Sequence, residues 1–285
     1  MRIPYTAAMN SAKSQGAHRI RAAFDRARAD RRCALLPFVT AGYPDLATTG
    51  RLLRELPSAG AHLIEVGFPF SDPIADGPVI AESMHEALLG GTTPESIFEL
   101  VRGMGGGSDG VTCPLLAMVS VSIVERMGAE RFIAEAVAAG FSGFIVPDAD
   151  PTDAARLSAL AAAHGAGFCA LVAPSTPMDR ARRLAEISTG FVYLLARVGV
   201  TGESSGAPEI ELRAAALREV TKAPLAAGFG ISTREHVEIV GRSADGAIVG
   251  SAIVRAMRDA KRAGADTALA ALGVVRELAD SATRA

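Results

Sequence analysis

The chain has 285 residues, 49% of them hydrophobic and 21% charged, with 29 glycines, a globular composition that excludes disorder and collagen-like fibres. Lys+Arg number 29 against Asp+Glu 31, a net charge of −2, so no positive field exists to collect a nucleic-acid backbone or an anionic membrane surface. The longest uncharged apolar stretch, 113–124, is too short for a bilayer and the N-terminus has no apolar h-region, while three cysteines without CxxC spacing (Cys33, Cys113, Cys169) point to a reducing cytoplasm rather than a disulfide framework or zinc site.

In chain order, helical period appears first over 15–30, ahead of any strand. Short apolar runs follow at 35–39, 62–66, 115–119, 143–146, 168–172, 191–195, 224–227 and 246–249, eight predicted strands. Between them lie segments with one apolar stripe: 79–89 and 94–104 after the second strand, then 131–139, 154–164 and 180–187, with a further helix starting at Ser251. From Phe144 to Phe168 to Phe191 the βα unit recurs at about two dozen residues. Strands with almost no polar alternation belong to parallel sheets covered on both faces. Eight of them predict one closed (β/α)₈ TIM barrel, a single α/β domain over 1–285, its bottom capped by the extra N-terminal helix. Catalytic groups of such barrels gather at the C-terminal ends of the strands.

Glu65 stands in the run His62-Leu63-Ile64-Glu65-Val66-Gly67, at the end of an otherwise apolar strand. It reads either as a salt-bridged strand-end carboxylate or as an acid/base whose pKa burial raises, and its position favours the second. The following loop, 67–78, holds Asp72, Asp76 and three prolines, a rigid acidic βα loop. Asp76 is in reach of the barrel mouth; Asp72 reads as an Asx-turn residue or a partner contact. Tyr193, in the sixth strand, points inward by alternation or is a buried Tyr bonded to a carbonyl. After that strand, 197–208 is long and Gly-rich, as a lid is, and includes Thr201 and Gly202. Ala227-Gly228-Phe229-Gly230-Ile231-Ser232 and Val249-Gly250-Ser251 follow the last two strands, where bare backbone N–H groups and a helix start form the recurrent phosphate seat of these barrels.

Other matches carry less. Gly105-Gly106-Gly107-Ser108-Asp109-Gly110 satisfies GxGxxG but follows a helix and opens none, so it reads as a loop. The five histidines lack metal-ligand spacing, and no metal is implied. The lysines, Lys13, Lys222 and Lys261, do not end a strand on the catalytic face, so carbon–carbon cleavage through a Schiff base has no candidate and would run on carboxylates.

Glu65-Val66-Gly67-Phe68-Pro69-Phe70-Ser71-Asp72-Pro73-Ile74-Ala75-Asp76-Gly77-Pro78 resembles the signature of the tryptophan synthase alpha subunit family. So do Pro37-Phe38-Val39-Thr40-Ala41-Gly42-Tyr43-Pro44-Asp45, Gly199-Val200-Thr201-Gly202, Gly228-Phe229-Gly230-Ile231-Ser232 and Gly250-Ser251-Ala252-Ile253-Val254. The resemblance implies a cytoplasmic lyase of aromatic amino-acid biosynthesis that splits indole-3-glycerol phosphate into indole and glyceraldehyde 3-phosphate. It implies Glu65 as the acid/base, Asp76 on the indole N–H, Tyr193 and Thr201 beside the substrate, and Gly202, Gly230, Gly250 and Ser251 around the phosphate. It further implies an alpha2beta2 assembly with a beta subunit that carries pyridoxal phosphate, this chain having no cofactor. Two stretches depart from the family pattern: Val119-Ser120-Val121-Ser122-Ile123 replaces a Thr-Tyr-Tyr-Asn-Pro-like segment, and Pro147-Asp148-Ala149-Asp150-Pro151 replaces Pro-Asp-Leu-Pro-Pro. Two further readings stand beside the coupled subunit: a stand-alone lyase releasing free indole, and a non-catalytic phosphate-ligand barrel regulating a partner.

Overall fold

The computed structural model describes residues 15–72, 77–105, 111–195, 206–228 and 230–282. Nine parallel strands form one sheet: β1 (Ala34–Thr40), β2 (Ile64–Gly67), β3 (Leu115–Met118), β4 (Gly143–Ile145), β5 (Gly167–Phe168), β6 (Leu171–Val172), β7 (Val192–Leu195), β8 (Leu225–Gly228) and β9 (Gly246–Val249). Their order is β5-β4-β3-β2-β1-β9-β8-β7-β6. The two ends of that order are consecutive in the chain, separated only by Cys169 and Ala170. There Cys169 N donates to Phe144 O (2.9 Å) on one side and Tyr193 N donates to Ala170 O (3.0 Å) on the other. The sheet therefore curls until its edges share one strand position, leaving no free edge, and eight positions close as the predicted (β/α)₈ barrel. The predicted fifth strand, 168–172, is broken because β5 pairs with β4 and β6 with β7.

Twelve helices are described: α1 (Gln15–Ala29), α2 (Leu46–Glu55), α3 (Pro78–Leu89), α4 (Pro94–Gly103), α5 (Val121–Met127), α6 (Ala129–Ala139), α7 (Pro151–Ala163), α8 (Met178–Ile187), α9 (Gly206–Arg218), α10 (Arg234–Ser243), α11 (Ser251–Arg262) and α12 (Thr267–Asp280). The predicted pair after the second strand is present as α3 and α4, each with proline in its first turn, and Thr93 and Ser96 close a capping box on α4. The sequence pattern alone does not announce α2 or α5. Asp45 caps α2 by accepting from Thr48 N at 2.6 Å. Helix α3 is the insertion: it leaves β2, crosses the end of β1 and packs on α11.

Inside the barrel, Ala34, Leu36, Leu63, Leu116, Ile145, Cys169, Tyr193, Ala226 and Ile248 form one buried cluster with Ile20 and Phe24 of α1. Glycines admit this helix to the floor. A Cβ at Gly143 or Gly167 would lie 2.7 or 2.8 Å from Ile20 Cδ1, and one at Gly246 would lie 2.9 Å from Phe24 Cε1. Phe24 also meets Phe191 edge-on at 5.6 Å between centroids. The N-terminal helix thus plugs the bottom, as its position in the sequence predicts. Outward-facing side chains such as Val39, Val66, Ala117 and Phe144 fill the separate layer between sheet and helices.

Candidate active site

Side chains alternate along each strand, so the positions two residues beyond the inner cluster form the next layer toward the C-terminal mouth. On β2 that step runs from Leu63 to Glu65. Register places Glu65 beside Phe38 of β1 and Leu116 of β3. Glu65 is fully buried, and neither carboxylate oxygen has a hydrogen-bond partner among the described residues. Burial pushes its pKa well above the usual carboxylate range. Burial so complete favours the protonated form, and a carboxyl so placed is able to give its proton to a substrate atom and take another back. The salt-bridged alternative has no cation to support it among the described residues.

Three glycines shape the space around this layer. A Cβ at Gly67, the end of β2, would fall 2.4 Å from the Phe38 ring, and a Cβ at Gly250, past the end of β9, would meet Phe38 Cβ at 3.4 Å. Phe38 therefore stands between the two neighbouring strand ends as an apolar wall. It was not among the residues singled out from the sequence, because a phenylalanine in an apolar strand gives no contrast. A Cβ at Gly228, the end of β8, would lie 2.5 Å from the Tyr193 hydroxyl. Tyr193 points inward as alternation predicts, is buried, and lies beside Phe191 with centroids 6.3 Å apart.

Gly250 precedes α11 with φ −118° and ψ −73°, and no side chain caps this helix. The first-turn N–H groups from Ser251 onward face the mouth side of the barrel, with the positive end of the helix dipole behind them. Gly230, beyond β8, has φ +78°, a left-handed conformation that glycine adopts without strain. Asp76, Thr201 and Gly202 lie outside the described residues.

The acidic loop leaves β2 from a fixed base. Phe68 is buried against Phe98, Phe132 and Phe141 at centroid distances of 5.7, 5.6 and 5.8 Å. Asp72 follows, exposed. At its far end Gly77 opens α3, which is anchored through Ser83: its hydroxyl donates to Ile80 O and accepts from the Thr40 hydroxyl, both at 2.7 Å. The two stretches that depart from the family pattern are joined to each other. Asp148 accepts from the Ser120 hydroxyl at 2.6 Å and from Val121 N at 2.8 Å, while Ser122 N donates to Ser120 Oγ at 3.2 Å. Asp150 caps α7 by accepting from Thr152 N and Asp153 N. Carboxylates and a hydroxyl thus order both loops. Among the described residues no group of three or more His, Cys, Asp and Glu is arranged to hold a metal, and no helix is long and apolar enough to cross a membrane.

The family model for the tryptophan synthase alpha chain matches residues 24–283. The tryptophan synthase alpha chain of Synechococcus sp. (strain CC9902) is 41% identical over 249 residues, covering 87% of this chain and 91% of the relative. A crystal structure of the alpha chain from Legionella pneumophila superposes with a TM-score of 0.81 at 29% identity, covering 92% of this chain and 96% of that one. Tryptophan synthase from M. tuberculosis, in an aminoacrylate-bound form, also gives 0.81, at 30% identity, with 93% and 99% covered. A buried, unpartnered carboxyl, an uncapped helix start across the mouth and this continuous match agree: the chain belongs to the tryptophan synthase alpha chain family, carbon–carbon lyases that cleave indole-3-glycerol phosphate in tryptophan biosynthesis.

Proposed function

We propose that Glu65 carries both proton transfers of that cleavage. Its protonated carboxyl gives a proton to indole C3, which turns the ring into an indolenine cation and an electron sink. The resulting carboxylate then takes the proton of the side-chain hydroxyl next to the scissile bond. The O–H electrons become the aldehyde carbonyl, the carbon–carbon bond breaks, and its electron pair returns to the ring as indole. Glu65 ends protonated, as it began. The observation that carries this reading is its complete burial without a partner, which keeps the proton on the carboxyl until a substrate atom arrives.

Asp76 accepts the indole N–H and offsets the indolenine charge. Tyr193 and Phe38 flank the ring, Thr201 lies beside the glycerol chain, and backbone N–H groups at Gly202, Gly230, Gly250 and Ser251 hold the phosphate. The chain works as one domain over 1–285, in the cytoplasm, as the alpha subunit of an alpha2beta2 assembly whose beta subunit carries pyridoxal phosphate. Exposed Asp72 on the mouth loop is a contact for that partner.

The deciding variant is Glu65→Gln. It is expected to lower indole release by about three orders of magnitude or more while glyceraldehyde 3-phosphate binding stays within about twofold. Substantial turnover by this variant refutes the assignment, and a parent chain that binds the phosphate compound without releasing indole is a regulatory barrel. Indole release with and without a cognate beta subunit separates the coupled subunit, which the partner activates, from a stand-alone lyase, which it leaves unchanged.

A further inference from the structure

Helices α3 and α11 bracket the C-terminal end of β1 from outside, and they face each other with opposite charge. On α11, Arg258, Lys261 and Arg262 share one face by their i, i+3, i+4 spacing; on α3, Glu82 and Glu86 share another. Glu82 pairs with Arg262 at 3.0 Å and with Arg258 at 3.6 Å, Arg258 also donates to Asp259 of its own helix at 3.1 Å, and Glu86 pairs with Lys261. The ammonium of Lys261 also lies 5.5 Å from the ring centroid of Tyr43, in the loop after β1. Arg258 is the most enclosed of the three cations, with 22% of its side chain exposed.

What each helix touches besides its partner gives this ladder its meaning. Gly250 and Ser251 begin α11. Helix α3 is tied through Ser83 to Thr40, and Thr40 pairs in register with Gly67, two residues beyond Glu65. A substrate reaching from Glu65 to a phosphate at Gly250 crosses the end of β1, where Phe38 stands. The ladder is the charged link between the two helices that frame this crossing. Singly, partly exposed ion pairs contribute little to folding.

We propose that Glu82 and Arg258 are positioning residues, which hold the acid end of the site and the phosphate end at the separation that indole-3-glycerol phosphate spans. This inference rests on the roles proposed above for Glu65 and Gly250. It separates ligands by reach. A spanning substrate feels the ladder, whereas glyceraldehyde 3-phosphate, seated at the phosphate end, does not.

The test compares Glu82→Gln, Arg258→Gln and Arg258→Lys with the parent chain, each assayed with its beta subunit. The two glutamine variants are expected to lose about 5- to 20-fold in kcat/KM for indole-3-glycerol phosphate, mostly in kcat, with the inhibition constant of glyceraldehyde 3-phosphate within about twofold. Arg258→Lys keeps the charge and is expected to restore kcat to within about threefold of the parent. Added KCl should lower kcat in the parent more steeply than in Glu82→Gln, because the variant has already lost two of the three pairs that salt screens. Unchanged kcat in both glutamine variants overturns the proposal. So does equal weakening of substrate and glyceraldehyde 3-phosphate, or a loss of kcat that follows a fall in Tm, since those mark a merely structural ladder. A parent chain that cleaves no indole-3-glycerol phosphate overturns the functional reading, and the positioning role falls with it.

Discussion

In the unfolded chain Glu65 gives up its proton in the ordinary carboxylate range, whereas in the barrel burial keeps the proton on to well above it. Folding is therefore linked to proton retention: the contribution is fully present below about pH 4.5 and is lost as pH rises through the folded pKa. Glu65→Gln removes that loss. Its Tm should exceed the parent's at pH 7.5 and converge with it at pH 4, and paired thermal melts at the two pH values check this. An equal offset at both would show that the two side chains differ in packing, not in ionisation. At Gly250 a Cβ meets Phe38 at ordinary contact distance, so Gly250→Val should fold while its methyls crowd the helix start. It is expected to weaken glyceraldehyde 3-phosphate by about tenfold or more and indole by less than about twofold, measured by equilibrium binding of each. Glu65 was legible because a charge inside an apolar run is costly unless used. Phe38 was not, since only strand register reveals that it separates Gly67 from Gly250.

At the scale of elements, the strands and the helices at 15–29, 78–89, 94–103, 129–139, 151–163 and 178–187 were legible from their periods, because both faces of a parallel sheet are covered and such helices keep one apolar stripe, whereas α9 and α12 gave no such signal. The break between β5 and β6 was not legible. It follows from which neighbour each half pairs with, a property of ring closure and not of the five residues themselves. Helix α5 was hidden for a related reason: its start is held by Asp148, far along the chain and on the loop after the next strand. That dependence makes a prediction. Asp148→Ala leaves Ser120 Oγ and Val121 N without their acceptor and should destabilise the protein by about 1–2 kcal/mol, read from urea unfolding. Asp148→Asn, which keeps one acceptor, should lose less. No effect from either would mean that water replaces the carboxylate at this rim.

Across the whole molecule, the N-terminal helix and the barrel are fitted by subtraction: glycines at the starts of β4, β5 and β9 leave the volume that Ile20 and Phe24 occupy. Glycine neighbours have no side chains with which to refill a void, so Ile20→Ala belongs at the costly end of large-to-small substitutions, about 3–5 kcal/mol. Denaturant midpoints with unchanged m-values check it, and a loss under about 1 kcal/mol would mean that α1 settles into the gap. The barrel was legible from eight apolar runs; this floor was legible only as a helix in the right place, because glycine in a sequence does not say which side chain it makes way for.

With Ile20 and Phe24 filling one end, the barrel interior around Glu65 is approached from the strand-end rim. Whatever is loaded over the rim also departs over it, because the N-terminal helix fills the far end. Were a partner to receive indole directly, it would have to fit over the doorway through which the substrate came, and its seat and the substrate's entrance would compete for a single perimeter. Such a hand-over would work in turns: loading while the doorway is open, delivery while it is covered.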